Sequence, residues 1–379
     1  MADSRLQSPN HGPRILLLSG YDAASHQRWR EQLTGMFHDY HWHTLALPPR
    51  FFRWRIRGNA LTWLNEPCLQ EPWDLILATS MVDLASLKGF HPQLACVPSV
   101  LYMHENQFAF PVSSKQNSSA EPQMVNLYSA IAADCVVFNS AWNRDSFLRG
   151  ARAFLDKMPD GVPDGLIAGL NEKSRVIPVP IEDRLFADQP GPVNWACPHL
   201  LWNHRWEYDK GPERLLNFLQ VLKKRSLPFR LSVVGEGFRS HPKAFDQIHQ
   251  QFGDRLEQWG FLESREDYDQ LLRRADVVVS TALHDFQGLS MLEAMASGCV
   301  PLAPDRLAYR EYVPEGCRYP SHEQDADLEA EAAADVLEAL MQQKPAFCPP
   351  DPWRASRLAG PYQSLFDELI QTERSKRSQ

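Results

Sequence analysis

The chain contains no apolar run near the roughly 20 residues that span a bilayer. Its first residues, MADSRLQSPNHGPR, have no apolar core of a secretory signal. Membrane insertion and export are therefore not expected, and the expected compartment is the cytoplasm. Cysteine is sparse and badly spaced for cross-linking. There are seven, an odd number without a Cys-x-x-Cys pair, which argues against a disulfide framework or a zinc site. Cys96, Cys135 and Cys299 sit in apolar strand patterns and read as small core residues. No repeat of 20–50 residues is present, so an array is excluded. Positive charge is not in excess either: the net charge is −8. Residues 1–180 carry 16 basic and 16 acidic side chains, and residues 181–379 carry 23 and 31. A bulk-basic nucleic-acid binder is excluded, whereas a local basic patch on the balanced half is not.

What is present is the composition of an ordinary soluble globular protein, 44% hydrophobic and 23% charged, in 379 residues. That length suits about two domains. Apolar strand patterns alternate with helix patterns in two series. The first has strands at 14–18, 42–47, 74–79, 99–103, 134–138 and 175–179, with helices near 26–37, 59–66, 81–89, 122–133 and 141–157. The second has strands near 199–203, 229–234, 256–260, 276–280 and 299–303. Such alternation implies parallel sheets covered on both faces. The expected fold class is α/β, two Rossmann-like domains with parallel sheets facing a central cleft. The first domain is expected over 1–186 and the second over 195–350. Residues 176–186 form the crossing point and 189–198 a linker, while the polar stretch 113–121 reads as a mobile loop. Pro349, Pro350, Pro352 and Trp353 introduce a last helix, about 356–371.

Two segments of the second half carry chemistry. In DVVVSTALHDFQGLSMLEAMASGCVPLA (276–303), a β-branched run ends in a loop that leads into a short helix. Asp285 and Glu293 flank that turn, with Gly288 between them. Helix-terminal amides hold phosphate oxygens, and a carboxylate accepts both hydroxyls of a ribose diol. The plain alternative is a buried βαβ unit with solvated charges. In HRWEYDKGPERLL (204–216), Arg205 and Lys210 lie on a strand-to-helix loop, where open α/β sheets bind ligands. An Arg fork and a Lys point charge neutralise a diphosphate without a metal. The alternative here is surface pairing with Glu207 and Asp209.

Other signals are weaker. Val234-Gly235-Glu236-Gly237 is half of a dinucleotide fingerprint. Asp267-x-Asp269 and Asp325-x-Asp327 imitate metal-binding pairs inside acidic helical stretches, so no metal is assigned. Arg50, Arg53, Arg55 and Arg57 interleave with Phe51, Phe52 and Trp54 without an acid. Cations between rings suit RNA phosphates and unstacked bases. Period-two alternation over 53–57 leaves open an edge strand with rings inside and arginines in water. His104, Glu105 and Asn106 end a strand, and three consecutive polar groups there are hard to explain as packing. Ser25 and His26 lie at the first strand-to-helix turn, where Ser25 is also a candidate helix cap.

The segments Arg205-x4-Lys210-Gly211 and Asp285-x7-Glu293 resemble the donor half of family-four retaining GT-B glycosyltransferases. In that family the first acid of the second motif is Glu, one methylene longer. SGYDAASHQRW (19–29), LPPRFFRWRIRGNALTW (47–63), LATSMVDLASL (77–87), LYMHENQFAFPV (101–112) and ADCVVFNSAWNRDSF (133–147) narrow this. With the donor motifs they resemble the tRNA-queuosine mannosyltransferases over nearly the whole chain. One departure is Ala23-Ala24, which stands where the family has a Gly pair.

The resemblance implies transfer of mannose from GDP-mannose to the cyclopentene-diol of queuosine in a tRNA anticodon of the tRNA-Asp type. It implies no cofactor and no metal, and a last helix (353–372) that packs back on the first domain. Catalytic roles fall to His104, Glu105, Arg205, Lys210 and Asp285, with His104 against the donor hexose. Donor contacts fall to Arg205, Lys210, Gly235, Asp285, Phe286, Gly288, Leu289 and Glu293. Acceptor and RNA contacts fall to Ser25, His26, Arg50, Arg53, Arg55, Arg57 and Asn106. The alternatives are a cell-envelope mannosyl- or glucosyltransferase on the same scaffold, and a binder that holds a sugar nucleotide without turnover.

Overall fold

The computed structural model describes residues 12–110, 120–186, 191–237 and 242–377. The chain divides into two compact units. One comprises the chain up to Pro178 together with the segment from Leu358 on; the other is Val179–Arg357. The polar stretch 113–121 falls largely outside the described residues, as do 187–190 at the start of the expected linker.

The first unit is built on six parallel strands: β1 (Arg14–Ser19), β2 (His41–Ala46), β3 (Leu75–Thr79), β4 (Ser99–Met103), β5 (Cys135–Phe138) and β6 (Ser174–Val176). Their order is β2-β1-β3-β4-β5-β6. β3 and β4 are buried at every position, as expected of central strands covered on both faces. Order reverses between β1 and β3, so a crevice opens at the carboxyl ends of those two strands. The second unit repeats the plan with β7 (His199–Trp202), β8 (Arg230–Val234), β9 (Leu256–Gly260), β10 (Val277–Val279), β11 (Val300–Pro304) and the short β12 (Arg318–Tyr319). The order β12-β11-β10-β7-β8-β9 places its reversal between β7 and β10. The two motif-bearing loops of the sequence leave those two strands.

The last helix, Ala355–Arg377, is longer than expected. Tyr362, Leu365, Phe366 and Ile370 are buried at helical spacing. The Trp29 indole donates to the Tyr362 hydroxyl (3.0 Å), which donates in turn to Pro178 O (3.0 Å). A buried hydroxyl with such partners fixes the helix's rotation as well as its place.

Two expectations are corrected. The helix expected at 59–66 is Phe52–Thr62, so it takes in the arginine stretch and closes the edge-strand alternative. Phe52, Ile56, Asn59 and Trp63 form its inward stripe, and the buried Asn59 hides that stripe from a hydrophobicity reading. Asn59 Nδ2 donates to Met81 O (2.9 Å), and Asp83 N donates to Asn59 Oδ1 (3.0 Å). Cys96 is exposed beyond the short helix Pro92–Ala95, whereas Cys135 and Cys299 are buried. The helix Leu166–Glu172 and strand β12 had no clear pattern in the sequence. Among the described residues, no helix is long and apolar enough to cross a membrane.

Candidate active site

In the second unit, the loops after β7 and β10 brace each other. Leu283 N and His284 N both donate to Asp209 O (2.8 and 3.1 Å), and Thr281 Oγ1 lies 3.0 Å from the carbonyls of Lys210 and Gly211. Gly211 has φ of 66°, and a Cβ there would collide with the Thr281 carbonyl. Only glycine permits so close an approach. Lys210 is consequently buried, with Nζ donating to His284 O (2.8 Å) and standing 3.4 Å from Asp209 and 3.5 Å from Asp285.

Asp285 does two jobs in this loop. Its Oδ1 accepts from Gly288 N (2.9 Å), and its Oδ2 from the Tyr309 hydroxyl (3.3 Å). Gly288, at φ 80°, caps the helix Leu289–Ala296, and a Cβ would collide with the Tyr312 hydroxyl. Burial raises the Asp285 carboxyl pKa, but Lys210, His204, His284 and the Gly288 amide outweigh it and hold the group below its usual range. The reverse applies to His204, where burial and the nearby Lys210 push the imidazole down to about 4. Its Nε2 is buried without a partner.

The helix ladder starts with Leu292 N donating to Gly288 O (3.1 Å), so the amides of Leu289, Ser290 and Met291 lie outside it. Three such amides beside a buried ammonium make an anion site suited to a diphosphate. Glu293 is buried one turn inside, against the Arg265 guanidinium (3.2 Å) and the Tyr268 hydroxyl (3.2 Å). A ribose diol would have to displace one of them. Arg205 is half exposed and paired with Glu207 at 3.0 Å. Gly235 ends β8 so close to the loop that a Cβ would strike His204 O. Phe286 is buried edge-on to His284 (4.4 Å). Leu289 is half-buried at the first helical position.

In the first unit, the equivalent edge gathers His26, Ser80, His104 and Glu105. His26 Nε2 is 3.0 Å from Glu105 Oε2, and Ser80 Oγ donates to Glu105 Oε1 (2.6 Å). The rings of His26 and His104 stack at 4.1 Å, with the Trp29 edge 4.8 Å from His104. Burial, with His26 beside it, drives the His104 pKa well below its usual value, so the ring is neutral. His104 Nε2 and His26 Nδ1 are buried without hydrogen-bond partners. Polar atoms left so are costly and mark a place where a ligand can bond.

Asn106 is corrected. It is fully buried, its Nδ2 donates to Asn143 Oδ1 (2.8 Å) and Ser146 Oγ (2.9 Å), and its Oδ1 accepts from Phe108 N and Ala109 N. It holds the turn and has nothing left for an acceptor. Ser25 is exposed and does not cap its helix; Ala23 holds that position. Arg50, Arg53 and Arg57 are exposed and Arg55 half-buried, with Arg57 paired to Asp83 at 3.1 Å.

Ser80, His204, Tyr309 and Tyr312 escaped the sequence reading. Ser80 could have been found, since it follows a strand at the reversal of order. Tyr309 lies in the short helix Leu307–Glu311 and Tyr312 directly follows it, a segment with no motif of its own. The acidic pairs are structural: Asp269 lies 3.1 Å from Arg265 Nε, and Asp325 caps its helix by accepting from Leu328 N. Among the described residues, no group of His, Cys, Asp and Glu is placed to hold a metal.

Residues 14–181 match the family model "tRNA-queuosine alpha-mannosyltransferase N-terminal", and residues 198–342 match "Glycosyl transferases group 1". A Drosophila melanogaster tRNA-queuosine alpha-mannosyltransferase is 32% identical over 311 residues, 80% of this chain and 82% of the fly protein. A GDP-mannose:cellobiosyl-diphosphopolyprenol alpha-mannosyltransferase of Xanthomonas oryzae is 27% identical over 37% of each chain. Among solved structures, sucrose-phosphate synthase of Thermosynechococcus elongatus superposes with a TM-score of 0.65 at 17% identity, covering 95% of this chain and all of that one. Anabaena HepE, solved with UDP and glucose, gives 0.60 at 15% identity over 97% and 98%. At such identities they establish the GT-B fold alone. With 32% identity over an aligned span that covers four fifths of the fly enzyme's length, the chain belongs to the tRNA-queuosine alpha-mannosyltransferase family of glycosyltransferases.

Proposed function

We propose that the chain transfers mannose from GDP-mannose to a hydroxyl of the queuosine cyclopentene-diol in the anticodon of a tRNA of the tRNA-Asp type. The observation that carries this reading is the match to the fly enzyme over four fifths of both chains. The partial match to a bacterial enzyme named for GDP-mannose supports the donor.

In this reading the bond from the mannose anomeric carbon to the diphosphate breaks as the bond to the acceptor oxygen forms. Lys210 and the amides of Leu289–Met291 stabilise the negative charge that develops on the leaving GDP, the largest catalytic term. Arg205 turns from Glu207 toward the same diphosphate. Glu293 holds the ribose, and Asp285 orients the hexose while keeping the Gly288 turn in shape. Among the described residues of the donor loops, Asp285 and Glu293 are both engaged in hydrogen bonds, and neither is assigned as a covalent nucleophile. Attack on the face of the departing phosphate, with a phosphate oxygen taking the hydroxyl proton, accounts for retention. His104, uncharged, bonds a sugar hydroxyl without repelling a developing positive charge. The acceptor puts the enzyme in the cytoplasm, and the two cationic groups make a divalent metal unnecessary.

The test is mass spectrometry of tRNA nucleosides from cells with and without the protein. Mannosyl-queuosine should vanish and free queuosine rise when it is removed. Unchanged mannosyl-queuosine would overturn the assignment.

A further inference from the structure

We propose that Phe51 and Trp54 form a stacking surface for unpaired bases of the RNA acceptor, a proposal that rests on the reading above. From His41 to Asn65 the chain has four arginines and no acid. The start of the helix Phe52–Thr62 packs beside the loops that follow β1 and β3: the Phe52 ring meets Tyr21 at 6.0 Å, and Ile56 clusters with Met81. This is the edge of the sheet that carries His26 and Ser80.

Phe52 and Ile56 point inward, while Arg53 and Trp54 between them face solvent. Phe51 is 70% exposed and Trp54 53% exposed, which is unusual for rings of this size. Both are held there by backbone design. Phe51 adopts a left-handed conformation, φ 57° and ψ 49°, at the cap of the helix. A bulky residue meets strain in that region, where Gly or Asn would sit freely. Nothing in the helix cap needs a ring, since Phe51 makes no side-chain cap bond. Trp54 lies along its own helix over Gly58, where a Cβ would come within 2.5 Å of the indole. Glycine inside a helix costs about 1 kcal/mol relative to alanine. Here it lets the indole lie close along the helix while half of its surface remains in water.

The company of these rings selects the partner. The Arg50 guanidinium lies 5.5 Å from the Phe51 ring centroid, and Arg53 is exposed between the two aromatics. Among the described residues, neither arginine has an acidic partner. A protein ligand would have to bring acids to match. A single-stranded RNA loop brings phosphates and splayed bases together, which is the pairing that alternating cations and rings accept. The anticodon loop that carries the acceptor nucleoside has both.

Stacking and ion pairing differ in their salt dependence, which makes the proposal testable. The probe is an anticodon stem-loop RNA containing queuosine, titrated across a salt series. Trp54→Ala should weaken binding by about tenfold and leave the salt slope unchanged. Arg50→Ala/Arg53→Ala should flatten the slope by roughly one unit per lost phosphate contact. Trp54→Phe should retain most of the affinity. Gly58→Ala should lower affinity by displacing the indole. Phe51→Gly should lower affinity while the thermal midpoint holds or rises, opposite signs that a structural ring would not produce. Wild-type affinity in Trp54→Ala and Phe51→Gly would overturn the proposal, as would a change of oligomeric state in those variants with RNA affinity intact. If wild type binds the RNA through Trp54 but transfers no mannose to it, the stacking surface stands and the functional reading falls. If transfer occurs and Trp54→Ala binds as wild type does, the reverse holds.

Discussion

The two units solve the problem of a polar site at a sheet edge in opposite ways. In the second unit, charge is present and internally paired: Lys210 with Asp209 and Asp285, Glu293 with Arg265, Arg205 with Glu207. In the first, the Glu105 carboxylate bonds Ser80 and His26; His104 is neutral by burial, and His26 Nδ1 and His104 Nε2 have no hydrogen-bond partner. The contrast fits what the proposed reaction asks each to hold. A diphosphate is already charged, so its site needs cations that stay ionised and in place without it. The paired acids serve that end, because an unpaired buried ammonium would lose its proton instead. A hydroxyl is neutral, and needs a hydrogen-bond partner rather than a countercharge. An orphaned imidazole nitrogen offers a hydrogen bond at no Coulombic cost.

Removing the cations should break the comparison most sharply. Lys210→Ala or Arg205→Ala should lower turnover about a hundredfold or more, since both act on charge that peaks in the transition state. The check is steady-state kinetics with folding verified by circular dichroism. Near-normal rates in both would make the second site structural. Lys210→Ala also leaves Asp285 short of its main countercharge, so it should lose some stability where Arg205→Ala, on the surface, should not.

Acid should separate the two kinds of site next. His204 titrates near 4 in the folded state against about 6.5 when unfolded. The unfolded chain therefore binds the extra proton first, and stability falls as pH drops from about 6.5 toward 4. His104 is displaced in the same direction. Asp285 is displaced the other way for its charge: its contribution is present above the unfolded carboxylate value near 3.9 and is lost only below it. Urea unfolding at pH 7 and pH 5 should show the loss, with His204 contributing roughly 2 kcal/mol over that interval. A flat response over that interval would mean that these rings accept protons while buried.

A smaller effect is expected at Asp285. Asp285→Asn keeps an oxygen for the Gly288 amide but removes the charge facing Lys210, so transfer should fall by about tenfold while GDP still binds. Asp285→Glu should be tolerated in transfer, because related enzymes carry the longer acid. Unchanged transfer in Asp285→Asn would reduce this residue to a loop cap. Smallest of all should be the response to chelation: EDTA should leave the rate where it was, and restoration of a lost rate by magnesium or manganese would point to a metal-bridged donor instead.

Much of the scaffold was legible because its signals are local. Strands at 99–103 and 256–260 are short runs bounded by turn residues, and the donor loops announce themselves through Gly211, Pro212 and Gly288 at fixed offsets. The arginine helix was misread for a local reason too, since alternate cations mimic a strand while a buried Asn interrupts the stripe. What stayed hidden is set by partners far along the chain. Asn106 is saturated by Asn143 and Ser146, and Ser80 meets Glu105 only once β3 and β4 pair. The internal pairing of the donor cluster is equally invisible: Lys210, Asp285 and Tyr309 share no motif, only a corner.

The most direct test uses purified protein, GDP-mannose labelled in the sugar, and two tRNA samples alike except for queuosine or guanosine in the anticodon. The account predicts label in the queuosine-bearing tRNA alone, released on digestion as one hexosylated queuosine, and none with Lys210→Ala. Label in both tRNAs, or in neither while the protein still binds GDP-mannose, would contradict it.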